Sequence, residues 1–154
     1  MIEWINNRFG TNFTENDLGS IKDFALAWNI FENLVCNNSC SVNQLAQRLN
    51  QIDFEIGDFT EPLEYFKNRY VSNGVTNGRF EHLNFRPNDR REIVEGVLLG
   101  QNNLTRDIVF ALSIIVFRYR NNLFHGLKQI ENIDQQRENF ENANLVLTKI
   151  LRHF

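Results

Sequence analysis

The segment RYRNNLFHG, residues 118–126, combines side chains that can hold an anion with one that can transfer a proton. An arginine guanidinium binds phosphate through a planar fork of donors, and a histidine gains or loses its proton near neutral pH. On an ideal helix Arg118 and His125 are almost in register, with Asn121 and Asn122 between them. The segment therefore predicts one polar stripe of arginine, asparagine and histidine.

Arg120 is the less regular member of this segment. On a straight helix it points well away from His125, because five residues do not complete a whole number of turns. Gly126 follows directly, and glycine is the residue that most often ends a helix. We expect Arg120 to join the stripe only if the helix ends or unwinds before His125. The sequence leaves open whether Arg118 or Arg120 faces the site.

The residues before this segment form the most apolar stretch of the chain, IVFALSIIVF at 108–117. This stretch predicts a buried helix that begins near Leu104. It is about half of the ~20 residues that span a bilayer, so no transmembrane segment is expected. A rigid buried helix that ends in arginine, asparagine and histidine is a suitable support for a positioned site.

RNNLFH resembles the signature of HEPN domains, all-α proteins marked by an arginine, four to six intervening residues and a histidine, often with asparagine directly after the arginine. Arg120, Asn121 and His125 match it with four intervening residues, and Arg118 with His125 satisfies the longer spacing. Three further features agree with this resemblance: the preceding apolar helix, the FHG that ends the motif and the size of the chain. The resemblance implies one HEPN-like helical domain over residues 1–154.

The resemblance also implies metal-independent RNA cleavage, which many HEPN proteins perform. Attack by the 2′-hydroxyl needs a base, an acid for the leaving 5′-oxygen and a cation for the charge on phosphorus. His125 would transfer protons, Arg120 would supply the cation, and Asn121 would bind a phosphate oxygen or hold the histidine ring. Because one chain offers one such histidine, we expect a homodimer with a composite groove, and no cofactor or metal.

Further residues could support this site. Glu32 resembles the acidic residue that some HEPN proteins direct at the motif from a neighbouring helix, where it would orient His125 or pair with Arg118. A surface glutamate is an equal alternative. Arg118 and Asn122 are expected to support the site from the same helix.

Charge is unevenly distributed along the chain. Residues 79–125 carry a net charge of +2 and the remainder −5, within an overall charge of −3 that argues weakly against a nucleic-acid binder. The basic residues of this region are all arginines. Among them, Arg86, Arg90 and Arg91 are candidates for guiding RNA to the groove, although a solvated charged face explains them as well.

The other histidines and the two cysteines are given ordinary roles. His82 and His153 are interpreted as exposed side chains. Cys36 and Cys40 have neither a second cysteine pair nor a nearby histidine, so a zinc site lacks ligands. The first residues show no export signal, and a cytoplasmic protein with two free thiols is therefore expected.

Helical periodicity predicts an all-α, up-and-down bundle of four main helices plus short ones. The helices are expected to begin near Thr14, Ser41, Thr60, Asn88, Leu104 and Ile133. Thr14 with Asp17, and Ser41 with Gln44, have the spacing of capping boxes.

The helical pattern is interrupted between Val71 and Phe85 by SNG and TNG. These turn signals allow a small hairpin or an ordered loop, and we interpret the segment as a loop. Asn88 is expected to cap the helix over residues 88–99.

Three functions remain open from the sequence. The first is a small endoribonuclease of antiviral defence or of a toxin–antitoxin pair, with RNA, a second copy and an antitoxin or nucleotide effector as partners. The second is a noncatalytic HEPN module that binds a nucleotide or a partner protein. The third is a plain helical bundle whose Arg118 and His125 satisfy helix-end carbonyls. Leu127 stands where some HEPN toxins carry the tyrosine that is modified for silencing, which puts that control in doubt.

Overall fold

The computed structural model describes residues 1–126 and 129–154, and the described chain is an all-α helical bundle with one small hairpin. The helices are α1 (Ile2–Phe9), α2 (Glu15–Leu34), α3 (Val42–Leu49), α4 (Thr60–Tyr70), α5 (Gly78–Glu81), α6 (Arg91–Leu98), α7 (Thr105–Phe124) and α8 (Arg137–Leu151). The 3-10 helices are Ile56–Phe59 and Ile130–Gln136, and the hairpin strands are β1 (Val71–Ser72) and β2 (Val75–Thr76). This architecture confirms the predicted fold class.

Helix α7 runs through the core of the bundle. Its residues are buried without interruption from Ile108 to Val116, and α3, α4, α6 and α8 pack against it. Helices α2 and α8 pack along each other, where the rings of Phe24 and Phe140 lie 5.0 Å apart between centroids. The predicted buried helix is therefore confirmed, beginning at Thr105. In the part of the chain that the structure describes, no helix has the length and apolarity to span a membrane.

One of the two predicted capping boxes is complete. At the start of α2 the Thr14 amide donates to Asp17 Oδ2 over 2.7 Å, and the Thr14 hydroxyl oxygen accepts from the Asp17 amide. The Thr14 hydroxyl also donates to the Asp17 carboxylate, and this hydrogen bond, followed by that from the Thr14 amide, lowers the pKa of Asp17. At α3 the Ser41 hydroxyl accepts from the Gln44 amide over 3.2 Å, but the Gln44 side chain donates to the carbonyl of Cys36 instead of completing the box.

Residues 71–76 form a hairpin, so their interpretation as a loop is wrong. Asn73 and Gly74 have φ of 54° and 76°, as both central residues of a type I′ turn require. The two strands pair in antiparallel register. Asn77 then caps α5, because its Oδ1 accepts hydrogen bonds from the amides of Arg79 and Phe80.

Helix α6 begins at Arg91, and Asn88 does not cap it as predicted. The carboxylate of Asp89 instead accepts from the amide of Arg86 over 2.7 Å and closes the turn before the helix. Arg90, the flanking residue, has a φ of 52°.

Cys36 and Cys40 form a disulfide, which corrects the predicted free thiols. After α2 the chain turns through Asn37 and Asn38, whose φ values are 50° and 67°. This turn brings the two cysteine Cα atoms to 4.9 Å, within the range of disulfides. The bond closes the connection between α2 and α3.

Candidate functional site

The polar segment at the end of α7 directs its side chains to two different sides of the helix. Arg118 and Asn122 face residues 82–89, which we call the 82–89 loop, whereas Arg120 faces α2. His125 follows the last helical residue and is exposed. Arg120 therefore lies apart from the side of Arg118 and Asn122, as expected for a helix that does not unwind early.

Arg118 is a buried structural residue, with only 2% of its surface exposed. Its Nη1 lies 3.0 Å from Asp89 Oδ2, and its Nε donates to the carbonyl of Leu83 over 3.0 Å. Burial lowers the pKa of the Arg118 guanidinium, the Asp89 carboxylate opposes this decrease, and the nearby charge of Arg86 adds to it. A guanidinium enclosed in this way is not accessible to an RNA phosphate.

Asn122 has a similar structural role. It is 1% exposed, and its Nδ2 donates to the carbonyls of His82 and Leu83 over 3.1 and 3.3 Å. Together with Arg118 it fastens the 82–89 loop to α7. Both residues were predicted as supporting residues, and both act on the loop.

Arg120 is the accessible arginine of the segment, with 30% of its side chain exposed. Its guanidinium carbon lies 5.9 Å from the ring centroid of Trp28 and 5.6 Å from that of Phe124. Its Nη1 donates to Asn121 Oδ1 over 3.0 Å, and its Nη2 is 3.7 Å from Glu32 Oε1. Two aromatic rings and two polar groups thus hold the guanidinium at the surface.

Glu32 contacts a different part of the motif from the one expected. It pairs with Arg120, and its Oε2 accepts from the indole nitrogen of Trp28 over 3.3 Å. Pairing with Arg118, one of the two site roles considered for Glu32, is therefore wrong, because Arg118 is paired with Asp89 on another side of α7.

His125 and Arg120 lie on different sides of α7 within one chain. The helix continues to Phe124, and the amide of His125 still donates to the carbonyl of Asn121 over 3.0 Å. The backbone departs from helical values at His125, which has a ψ of 11°, and turns at Gly126, which has a φ of 66°. Five residues at about 100° each separate the two side chains by about 140° around the axis. The early unwinding that would unite them does not occur.

The three arginines predicted to guide RNA have different surroundings. Arg91 pairs with Glu81, with Nη1 and Oε2 2.9 Å apart, which raises the pKa of Arg91 and lowers that of Glu81. Arg90 donates to Asn43 Oδ1 over 2.9 Å and lines a cleft of about 310 Å³ between α3, α6 and α7. Arg86 is exposed in the 82–89 loop.

The two remaining histidines have different surroundings. His153 lies edge-on to the ring of Phe54, with centroids 4.9 Å apart. His82 is exposed, as expected, but its carbonyl accepts from Asn122 and so places it beside the end of α7. No periodicity in the sequence could indicate this proximity, because the two residues belong to separate elements.

Among the residues that the structure describes, no three histidine, cysteine, aspartate or glutamate side chains are grouped as metal ligands would be. No protein-family model matches the chain, and no curated protein or solved structure is significantly similar to it. A functional assignment therefore depends on the end of α7 and its neighbours.

Proposed function

We propose that the protein is a metal-independent endoribonuclease of the HEPN type that acts as a homodimer. The observation that supports this is the contrast at the end of α7, where Arg120 and His125 are accessible and Arg118 is enclosed. Because Arg120 and His125 of one chain lie on different sides of the helix, a two-fold dimer is needed to gather them in one composite groove.

Arg120 is suited to hold a phosphate in this groove. The aromatic rings of Trp28 and Phe124 restrict its guanidinium, so the side chain loses less conformational freedom when a phosphate binds. Its contact with Glu32, at 3.7 Å, is longer than a charge-assisted hydrogen bond. A phosphate oxygen at hydrogen-bond distance would therefore compete well with this carboxylate. Asn121, which accepts from Arg120, positions the guanidinium.

His125 is suited to proton transfer because it is exposed at the end of a rigid helix. In the proposed reaction a base takes the proton of the 2′-hydroxyl, and the 2′-oxygen bonds to phosphorus. The bond from phosphorus to the 5′-oxygen breaks, and an acid protonates that oxygen. The products are a 2′,3′-cyclic phosphate and a 5′-hydroxyl.

The proposed setting is cytoplasmic, in antiviral defence or in a toxin–antitoxin pair. The partners would be the RNA substrate, a second copy of the chain and an antitoxin or nucleotide effector. The position at which some HEPN toxins are silenced, Leu127 here, lies outside the described residues.

The test is incubation of the purified protein with mixed single-stranded and structured RNA in EDTA. We expect the wild type to leave cyclic phosphate ends, and Arg120→Ala and His125→Ala each to lower the rate by about 100-fold or more. Arg106→Ala, which removes an exposed arginine from the other end of α7, is the matched control and should cleave normally. Failure of the wild type to cleave any of these RNAs would reject the proposal.

The alternative is a noncatalytic HEPN module that binds a nucleotide or a partner protein. The pairing of Arg91 with Glu81 and the engagement of Arg90 by Asn43 favour it, because they leave little free basic surface for RNA. In that case RNA would stay intact, whereas a nucleotide would raise the melting temperature of the wild type and not that of Arg120→Ala.

A further inference from the structure

The 82–89 loop is fastened to α7 at both of its ends. At one end the carbonyls of His82 and Leu83 accept hydrogen bonds from Asn122 and Arg118, and at the other Asp89 pairs with Arg118 over 3.0 Å. Arg118, Asn122 and Asp89 are all buried. Separating the loop from α7 would leave buried charges unpaired, which is strongly unfavourable. The loop is thus a fixed part of this face.

The order of these contacts brings His82 toward His125. The carbonyl of Leu83 accepts from both Arg118 and Asn122, whereas that of His82 accepts from Asn122, which lies one turn closer to the end of α7 than Arg118. His125 is only three residues beyond Asn122, a rise of about 4.5 Å. It also lies on the same side of the helix, since Arg118, Asn122 and His125 fall within about 60° around the axis.

The groups on this face match the needs of RNA cleavage. His82 and His125 are both exposed, although the residues that position them are buried. Arg86 is exposed in the same loop. Burial is the main cause that lowers the pKa of Arg118, and the nearby charge of Arg86 lowers it further. One chain therefore carries two exposed imidazoles and an exposed guanidinium in segments that meet near the end of α7.

We propose that His82 is the second proton-transfer residue of the site. From the sequence, this role is expected of His125 in a second copy of the chain. This inference rests on the proposed ribonuclease function. One imidazole of the pair takes the proton of the 2′-hydroxyl as the 2′-oxygen bonds to phosphorus. The other, protonated beforehand, gives its proton to the 5′-oxygen as that bond breaks, so the pair exchanges protonation states in each turnover. The dimer still supplies Arg120, from the second copy.

The segments that carry the pair and the helices next to them contribute charged groups from four elements. Arg118 of α7 is neutralised by Asp89 of the loop, and Glu81 of α5 is neutralised by Arg91 of α6. The exposed guanidiniums of Arg79, on α5, and Arg86, in the loop, add positive charge. This balance favours an approaching phosphate.

The experiment is the pH dependence of kcat for RNA cleavage by the full chain. We expect a bell-shaped profile for the wild type, since one histidine must be neutral and the other protonated. His82→Ala and His82→Gln should lower kcat by about 100-fold or more and remove one limb of the bell. Added imidazole should partly restore the Ala variant. His153→Ala is the matched control, with an unchanged profile.

Two results would overturn the inference in distinguishable ways. If the wild type cleaves and His82→Ala keeps both the rate and the bell shape, His82 has no role, whereas the ribonuclease proposal stands. If the wild type does not cleave, both proposals fail. The variants should remain folded, because the bond from Asn122 is to the backbone carbonyl of His82. Equal melting temperatures would verify this.

Discussion

At the scale of single residues, the two arginines of RYRNNLFHG are distinguished by burial and not by spacing. Arg118 is enclosed with Asp89, while Arg120 lies between two rings at the surface. A buried ion pair contributes little net stability, but removal of one partner leaves the other as an uncompensated charge. Substitution of Arg118 should therefore destabilise the fold, whereas substitution of Arg120 should lower the proposed activity and change the stability little.

We expect Arg118→Ala to lower the free energy of unfolding by about 3–5 kcal/mol, because the carboxylate of Asp89 stays buried without its partner. Arg120→Ala should cost at most about 1 kcal/mol, since its pair with Glu32 is partly exposed. Urea unfolding measures both values. Equal losses would contradict this account, and an Asp89→Ala, Arg118→Ala double variant should lose less than the sum of the single variants.

Motif spacing was sufficient to select Arg120, Asn121 and His125 as candidates, but it could not assign their surroundings. The partners of Arg118 and Asn122 lie in the 82–89 loop, and such long-range contacts leave no periodic trace in one sequence. For the same reason His82 was interpreted as an ordinary exposed histidine.

At the scale of elements, local patterns were predictive and ambiguous turn signals were not. The capping box at Thr14 and the apolar run of α7 were recognised because their determinants lie within a few residues. The hairpin was missed because Asn73 and Gly74 are compatible with either a turn or a loop. The packing of α4 on α7 through Tyr70 and Tyr119, whose hydroxyls share a hydrogen bond, was also outside the reach of the sequence.

This tyrosine pair makes the stability of the bundle depend on alkaline pH. Burial raises the pKa of Tyr70 to about 12 and that of Tyr119 well above its usual range. An unfolded tyrosine ionises near pH ~10, so between about pH 10 and 12 the unfolded state binds fewer protons. The free energy of unfolding should fall there, by up to about 1.4 kcal/mol per pH unit for each tyrosine. Urea unfolding at several pH values should show that the free energy of unfolding of Tyr70→Phe falls less steeply with pH than that of the wild type. An equally steep fall would contradict the raised pKa of Tyr70.

At the scale of the whole molecule, the proposed activity depends on association. Arg120 and His125 of one chain are directed to different sides of α7. With His82 as the second proton-transfer residue, a two-fold dimer would contain two grooves, each with the arginine of one copy and the histidines of the other. Two variant chains, one without the arginine and the other without the histidine, can therefore form one intact site together, which is subunit complementation.

We expect Arg120→Ala and His125→Ala chains, inactive alone, to regain activity when they are denatured together, mixed equally and refolded. Half of the resulting dimers would be mixed, and each would contain one intact groove, so the recovered rate should be about a quarter of the wild-type rate. Sedimentation confirms that dimers have formed. No recovery in a dimeric mixture would mean that the arginine and the histidine act within one chain.

The position of Trp28 gives this protein an optical reporter of its own candidate site. Trp28 is 3% exposed, donates to Glu32 and lies 5.9 Å from Arg120, whereas Trp4 is 62% exposed on α1. Indole emission responds to nearby charge and hydrogen bonding, so a ligand that draws Arg120 away from Glu32 alters the emission of Trp28. With Trp4→Phe as the background, intrinsic fluorescence would follow the occupancy of Arg120 without any attached dye.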